Sequence, residues 1–423
     1  MRGPLTARRV TALAIVLLLV PTVASGVLYY ATTSETPDRP AAPIDPANLT
    51  VVTTQGSHWH GNGPNFESGQ MVGIRSDNGS VVWTNDRYGW YYDVDPITNR
   101  TLLFVSHDRV DGEYRDFATE WNWVTNETYR RFRLPPDTHD VDRLGPDRYV
   151  VADKANNRVF VYNYTADEPP YDATDEIVWQ WRFREHYDDP PIDGHEGDYT
   201  HLNDVDVIEN GSAFMLSPRN FNRVIAVNRS TGEIEWTLGN QVVPSILDGQ
   251  HSPVMLSTDP RTVLVGDSEN NRVVEYQYVD GAWEQTWAYS DGLNWPRAVR
   301  RLPNGDTLVS DTGNDRVIEV TPNGTVVWQY DTRDPHPFDV ERVALRDGRD
   351  RPTMGAYRNG SVDLANGSEG STTLPPLEYA HRLAGWVLPI WVGKWAFLGL
   401  VLAGVLAVGW ALTEAGLAVR RRV

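Results

Sequence analysis

The spacing of apolar and polar positions changes character twice along the chain. Residues 10–31 run without a charge behind Arg2, Arg8 and Arg9, and residues 395–413 run without one between Lys394 and the cluster Arg420, Arg421 and Arg422. A stretch of about 20 apolar residues crosses the hydrocarbon core of a bilayer, so both ends read as membrane-directed, with the C-terminal arginines on the cytoplasmic side. The first stretch fits a retained anchor or a cleaved signal peptide, because residues 10–20 also have the length of a signal-peptide core and Thr22-Val23-Ala24 or Val23-Ala24-Ser25 suits a cut. Between the ends the pattern shortens to β-type alternation, broken at turns such as Asn210-Gly211, Asn304-Gly305 and Asn323-Gly324.

The alternating runs repeat. Asn/Asp-Arg-Val recurs in NNRVFVYN at Arg158, FNRVIAVN at Arg223, NNRVVEYQ at Arg272 and NDRVIEV at Arg316, with spacings of 65, 49 and 44 residues. Behind each comes a run ending in tryptophan, at Trp179, Trp236, Trp287 and Trp328. Ahead of the signature stands another run, marked by Asp140-Val141-Asp142 or Asp204-Val205-Asp206. Four strands per unit make a propeller blade. First strands begin near Tyr92, His139, His201, His251, Trp295 and Phe338, which predicts an all-β, six-bladed β-propeller with N- and C-terminal transmembrane segments. The sixth unit fades after about Gly360, before its last two strands. The unpaired runs QMVGIRS and GSVVWTN, around residues 70–84, would supply them and close the ring, hiding the sheet edges. A seventh blade would need a further unit hidden in residues 107–133. The expected organisation is residues 1–31 as anchor or signal peptide, 32–69 as a stalk and a channel-capping loop with His58 and His60, 70–360 as propeller, 361–385 as linker, 386–418 as the second membrane region and 419–423 as a basic cytoplasmic tail.

Composition narrows the function classes. With 38 Lys+Arg against 57 Asp+Glu, a formal charge of -19, the chain lacks the basic face that phosphate contacts need, which argues against nucleic acid as a partner. It has no cysteine, hence no disulfide framework, no thiolate metal site and no thiol nucleophile. The acidity is uneven: residues 31–385 carry 31 basic and 56 acidic residues, and among the cations only Lys154 and Lys394 are lysines. Such a surface suits strong brine, where self-repulsion is screened within about 3 Å at 1 M salt. Ten Asn-x-Ser/Thr sequons, from Asn48 to Asn366, all fall in this middle part and favour a glycosylated exterior.

The first strand of every propeller blade lines the central channel, so residues at its start converge although they are far apart in sequence. His139 in PPDTHDVD, His201 in YTHLNDVD and His251 in DGQHSP open consecutive blades. Arg219 is a second departure from the repeat. Where other units place Asp153, Asp267 or Asp311 five residues ahead of the signature arginine, the third has Pro218 followed by Arg219, whose planar fork of donors suits an oxyanion. Asn203, two residues after His201, would face the same side of a strand. One such histidine or arginine alone is more often structural; three histidines at one topological position favour a site. His336 and Trp295 stand at the start of later blades, whereas His107, His186, His195 and His381 form no constellation in the sequence.

With these residues the sequence resembles the arylsulfate sulfotransferase family, enzymes that work without a nucleotide sulfate donor on a six-bladed propeller. The likeness covers most of residues 70–345 and is carried by THDVD, THLNDVD with SPRNFNRVIAVNRSTGEIEWTLG, and DGQHSP. The resemblance implies that His251 carries a covalent sulfuryl group, surrounded by His139, His201, Asn203 and Arg219. It also implies ping-pong transfer from an aryl sulfate donor to a phenolic acceptor, with no cofactor and no metal. The chain departs from the bacterial periplasmic enzymes in lacking their cysteine pair and N-terminal β-rich domain and in having membrane segments. A rival reading is a non-catalytic, NHL-like cell-surface propeller that binds a ligand or protein, favoured by the structural Arg-Val signature. A quinone-dependent dehydrogenase propeller would need eight blades and a calcium site, and the sequence offers neither.

Overall fold

Among the described residues, twenty-four strands pair antiparallel into six four-stranded sheets. The structure, a computed structural model, describes residues 4–32, 44–56, 69–165, 176–187, 191, 194, 195, 197–332, 336–344, 351–358, 376–385, 388 and 392–420. Blade one spans residues 90–133, blade two 141–182, blade three 202–239, blade four 251–289 and blade five 299–331. Their strands follow one another in sequence order, and the first strands neighbour one another around a ring in which blade six meets blade one. Tight turns set the spacing: Asn210 and Gly211, at φ 56° and 86°, take the paired left-handed conformation that matches strand twist.

Blade six closes the ring with one C-terminal strand, Pro337–Arg342, and three N-terminal ones, Leu49–Thr54, Met71–Arg75 and Val81–Asn85. The sequence reading differs by one strand, since it leaves residues 49–54 in the stalk. LTVVTT shows no clean alternation because all six positions are buried. Its threonines are accommodated by hydrogen bonds: Thr53 Oγ1 donates to Tyr92 O at 2.5 Å and accepts from Asp339 N at 3.0 Å. Residues 107–133 hold no extra blade; they are the long strands Thr101–Val110, Glu113–Asn122 and Glu127–Arg133 of blade one.

The repeated signature is an internal brace. Asp153 pairs with Arg158 at 2.6 Å, and Asp267 with Arg272 and Asp311 with Arg316 at 2.7 Å each. The same carboxylates accept backbone N–H groups of Asn156, Asp248 and Asn294, so each brace also fixes a loop at the channel end of its blade. In blade three Pro218 removes the carboxylate, and Arg223 instead lies over the Tyr187 ring at 5.5 Å. Arg219 follows Pro218 directly, at the next position of the repeat.

The terminal helices form a separate unit. Helix α1 (Pro4–Thr32) and the last helix, Lys394–Arg420, each contain a stretch long and apolar enough to cross a membrane, Arg8–Val27 and Lys394–Val419, with mean hydropathy 2.3 and 2.2. They run antiparallel: Arg8 pairs with Glu414, Nε to Oε1 2.6 Å, while Thr22 Oγ1 donates to Ala396 O at 3.3 Å. A Cβ at Gly399 would stand 2.2 Å from Leu18 O, so glycine is what lets the two backbones close. The end of the expected linker is itself helical, Pro376–Gly385.

Candidate active site

Loops leading into the first strands are bent by residues in the left-handed region. Asp137, His201, Trp295 and His336, at φ 60°, 46°, 53° and 61°, each stand three residues ahead of the first inner position, which is Asp140, Asp204, Ala298 or Asp339. A residue other than glycine costs about 1 kcal/mol or more in this region. Neighbouring bonds hold it there: His201 O accepts Arg219 N at 3.3 Å, and Asp315 Oδ1 accepts His336 N at 2.9 Å.

The three histidines do not share one register position. His139 immediately precedes Asp140, His201 stands outside the strand Leu202–Ile208, and His251 is already in the ladder of blade four, opposite Gly266. They are nevertheless brought to one wall of the channel mouth. The His139 and His201 rings meet edge to face with centroids 5.6 Å apart, and Tyr92 stacks on His139 at 4.8 Å. Phe338 touches His139 at 5.7 Å, the Arg297 guanidinium lies over Phe338 at 4.7 Å and over Trp295 at 4.5 Å, and Trp295 meets His251 at 5.5 Å.

Bonding assigns each tautomer. Ser268 Oγ gives its proton to Pro296 O at 2.6 Å, so His251 Nδ1, 2.8 Å from that oxygen, is the donor and Nε2 keeps the lone pair. His201 Nδ1 lies 2.5 Å from Asp198 Oδ2 and is likewise the protonated nitrogen. His139 Nε2 donates to Asp137 at 3.1 Å, leaving its buried Nδ1 without a hydrogen-bond partner. Burial pushes all three imidazoles below their usual range. For His251 the Arg297 and Arg219 charges push further, and for His139 Lys154 does. Burial brings His201 to about 4 against the opposing effect of its hydrogen bond to Asp198. The site therefore presents neutral imidazoles at pH 7.

Arg219 donates through Nη2 to Glu269 and through Nη1 to Asn220, both at 3.2 Å, while its buried Nε has no acceptor. Gly249 makes room for this arrangement, since a Cβ there would meet Glu269 at 2.7 Å and Arg219 Nη2 at 3.4 Å. Asn203 Nδ2 donates to Gln250 O at 2.8 Å, holding the backbone just ahead of His251. Its expected side-by-side relation with His201 fails, because His201 lies outside the strand and the register shifts between Leu202 and Val205.

Sequence reasoning missed Arg297. It is 5% exposed, burial pushes its guanidinium down to about 9, and Nη1 donates to Gln55 Oε1 at 2.6 Å. A signal was present: the residue immediately before the first inner position is Tyr92, His139, Asn203, Arg297 or Phe338 in blades one, two, three, five and six, so one repeat position supplies much of the wall. Lys154, which the sequence places in blade two at the position of Arg219 in blade three, has no role in the sequence reading, yet it reaches Asp137 at 2.5 Å. His107 does stand in a constellation, 2.6 Å from Asp116, whose other oxygen accepts Asp137 N at 2.5 Å. His58 and His60 lie outside the described residues.

A propeller mouth with neutral histidines and cationic donors suits chemistry on an anion. Residues 48–243 match the arylsulfotransferase family model. This arylsulfotransferase match takes in blades one to three, with His139, His201, Asn203 and Arg219, and ends ahead of His251 and Arg297. A second model, described as outer membrane protein assembly factor BamB, matches residues 169–375. No curated protein matches the chain significantly. Solved structures similar to it include a protein of unknown function from Bacteroides caccae, with 12% identity, 69% of this chain and 98% of that one covered, and a TM-score of 0.48. Another is the periplasmic gluconolactonase of Pseudomonas aeruginosa, with 16% identity, 74% and 92% covered, and a TM-score of 0.44. The blade count rests on this chain's own strand pairing.

Proposed function

We propose that the protein is an aryl sulfotransferase that passes a sulfuryl group from an aryl sulfate ester to a phenol through a sulfo-histidine at His251. The observation that carries this reading is the state of His251: neutral, buried, and tied through Nδ1 to Ser268 so that Nε2 keeps its lone pair beside two guanidinium groups. Nε2 attacks sulfur, the bond from sulfur to the donor's phenolic oxygen breaks, and the phenol departs as phenolate. The acceptor's oxygen then attacks the same sulfur, its proton passes to His201 Nε2, and the sulfur–nitrogen bond breaks, restoring His251. His201 returns the proton to solvent or to the next departing phenolate. Arg219 Nε, Arg297 and the second amide N–H of Asn203 hold the sulfuryl oxygens as charge redistributes, a contribution often worth about 3 kcal/mol per donor. His139 flanks His201 and completes the polar surround.

The test is transfer from 4-nitrophenyl sulfate to phenol at high salt, comparing wild type with His251→Ala. Loss of about a thousandfold or more in rate is expected, together with an acid-labile sulfuryl adduct on His251 of the wild type. Equal rates would remove His251 as nucleophile. The end of the arylsulfotransferase match before His251 favours a second reading, a binding propeller without turnover; aryl sulfate binding with no transfer to any phenol would select it.

The membrane arrangement follows the same reading. Antiparallel pairing of α1 with the last helix brings Arg8, Arg9 and Arg420 to the end where Arg8 meets Glu414. Arginine-rich ends stay cytoplasmic, so the chain between the helices emerges outside, with α1 retained as an anchor.

A further inference from the structure

Below the histidines the inner strands carry a feature that sulfuryl transfer does not use. Blades one, two, three and six each contribute two carboxylates two residues apart at the first strand, Asp140 just ahead of it: Asp93 and Asp95, Asp140 and Asp142, Asp204 and Asp206, Asp339 and Glu341. Residues i and i+2 of a strand share a face, so these form two tiers on the axis. Six of the eight are buried, with Asp93, Asp140 and Asp204 at 7%, 5% and 6% exposure. Some are structural acceptors: Asp140 Oδ2 takes Val205 N at 2.5 Å and Asp142 Oδ2 takes Val207 N at 2.6 Å, stitching blade two to blade three. Arg300 of blade five serves the other side, pairing with Glu341 and, at 3.4 Å, with Asp339.

Blades one and two are where the carboxylates converge. One oxygen each of Asp93, Asp95 and Asp140 lies within 4.8 Å of the others, and Asp93 Oδ2 is buried without a hydrogen-bond donor. Asp204 Oδ2, in the next blade, is buried and unpartnered as well. Carboxylates facing one another in a dry channel need a positive charge between them. Three oxygens within 4.8 Å of one another lie no more than about 2.8 Å from a common centre, so a slight inward turn of the carboxylates reaches the roughly 2.4 Å bond length of calcium, which takes six to eight oxygens and fills the rest of its shell with water.

We propose that Asp93, Asp95 and Asp140 bind a divalent, calcium-like cation on the propeller axis that locks blade one to blade two. The sequence reading names no metal ligand, because these acids recur as part of the repeat in several blades, and only the packing of blade two against blade one shows that three of them converge. The ion would also steady the active site from below, since Asp140 directly follows His139 and Asp93 N donates to His139 O at 3.4 Å. The alternative is a proton shared between Asp93 and Asp140, and the test separates the two.

Full-length protein in detergent, stripped with EDTA and held in about 1 M KCl to screen surface carboxylates, is titrated with CaCl2 by calorimetry, and its thermal midpoint is read with and without calcium. The expected result is one saturable site and a midpoint raised by several degrees, with Asp93→Asn and Asp140→Asn weakening calcium roughly tenfold or more. Asp95→Asn, at a less buried position, gives the same reading if the others do not fold. The exposed control Asp77→Asn should titrate as wild type. Wild type without calcium-dependent heat or midpoint shift, or variants that bind calcium as wild type does, would overturn the proposal; a higher midpoint for Asp93→Asn with no calcium effect would assign the charge to a shared proton.

Discussion

At the scale of single residues, the candidate site works by keeping imidazoles neutral, and the pH dependence follows from that. His201 must be unprotonated to take the acceptor's proton, and burial brings its pKa down to about 4. The kcat/KM for the phenol should therefore rise with pH through about 4 and stay flat up to neutrality, rather than turning at the usual imidazole value near 6.5. Asp198 holds the pKa up, so Asp198→Asn should move the limb to lower pH while lowering the plateau; a limb left in place would show that another group titrates. His139, His201, His251 and Arg219 were read as departures from a repeat, and Asn203 from its spacing to His201, a relation that the register shift in the strand removes. Arg297 was not read, although it stands at the repeat position of His139 and Asn203, because the aspartate that marks this position in other blades is Ala298 in blade five. Ser268 was illegible for a different reason: its effect on His251 depends on where its proton goes, and only the Pro296 carbonyl decides that.

At the scale of elements, the seam in blade six is the point where a ring of local hairpins becomes closed. Thr53 joins three segments there, bonding Tyr92 of blade one and Asp339 of the last strand from within the N-terminal one. Thr53→Val keeps the shape and strands both partners, at a cost of about 2–4 kcal/mol for two buried groups left unsatisfied. Thr231→Val, in an exposed turn, should change stability by less than about 0.5 kcal/mol. Urea midpoints of the two variants check this, and a wild-type midpoint for Thr53→Val would mean the seam is held elsewhere. The five blades made of consecutive strands were readable from alternation and turns. The first strand of the chain was not, since a strand buried on both faces with three threonines has no alternating signature, and one of its two partners lies nearly 300 residues away.

At the scale of the whole molecule, charge and topology act together. The acidic excess of residues 31–385 should make stability depend on salt: the thermal midpoint is expected to climb between about 0.1 M and about 2 M KCl as the Debye length falls from roughly 10 Å to a few ångströms. A midpoint independent of KCl would separate the composition from any need for brine. The sequence by itself determined the periodicities: two apolar ends, short strands between them, a repeat of six units and the places where that repeat is broken. These are local properties, set by side-chain alternation and turn chemistry within a few residues. Only the tertiary structure decided which strand closes the ring, which nitrogen of each histidine is free, that Arg297 joins the wall, and that acids from separate blades meet on one axis. The seam and the meeting of acids depend on residues far apart in the chain; the histidine tautomers depend on which side-chain atoms come within bonding distance, which no pattern of alternation encodes even where the partner is near, as Asp198 is to His201.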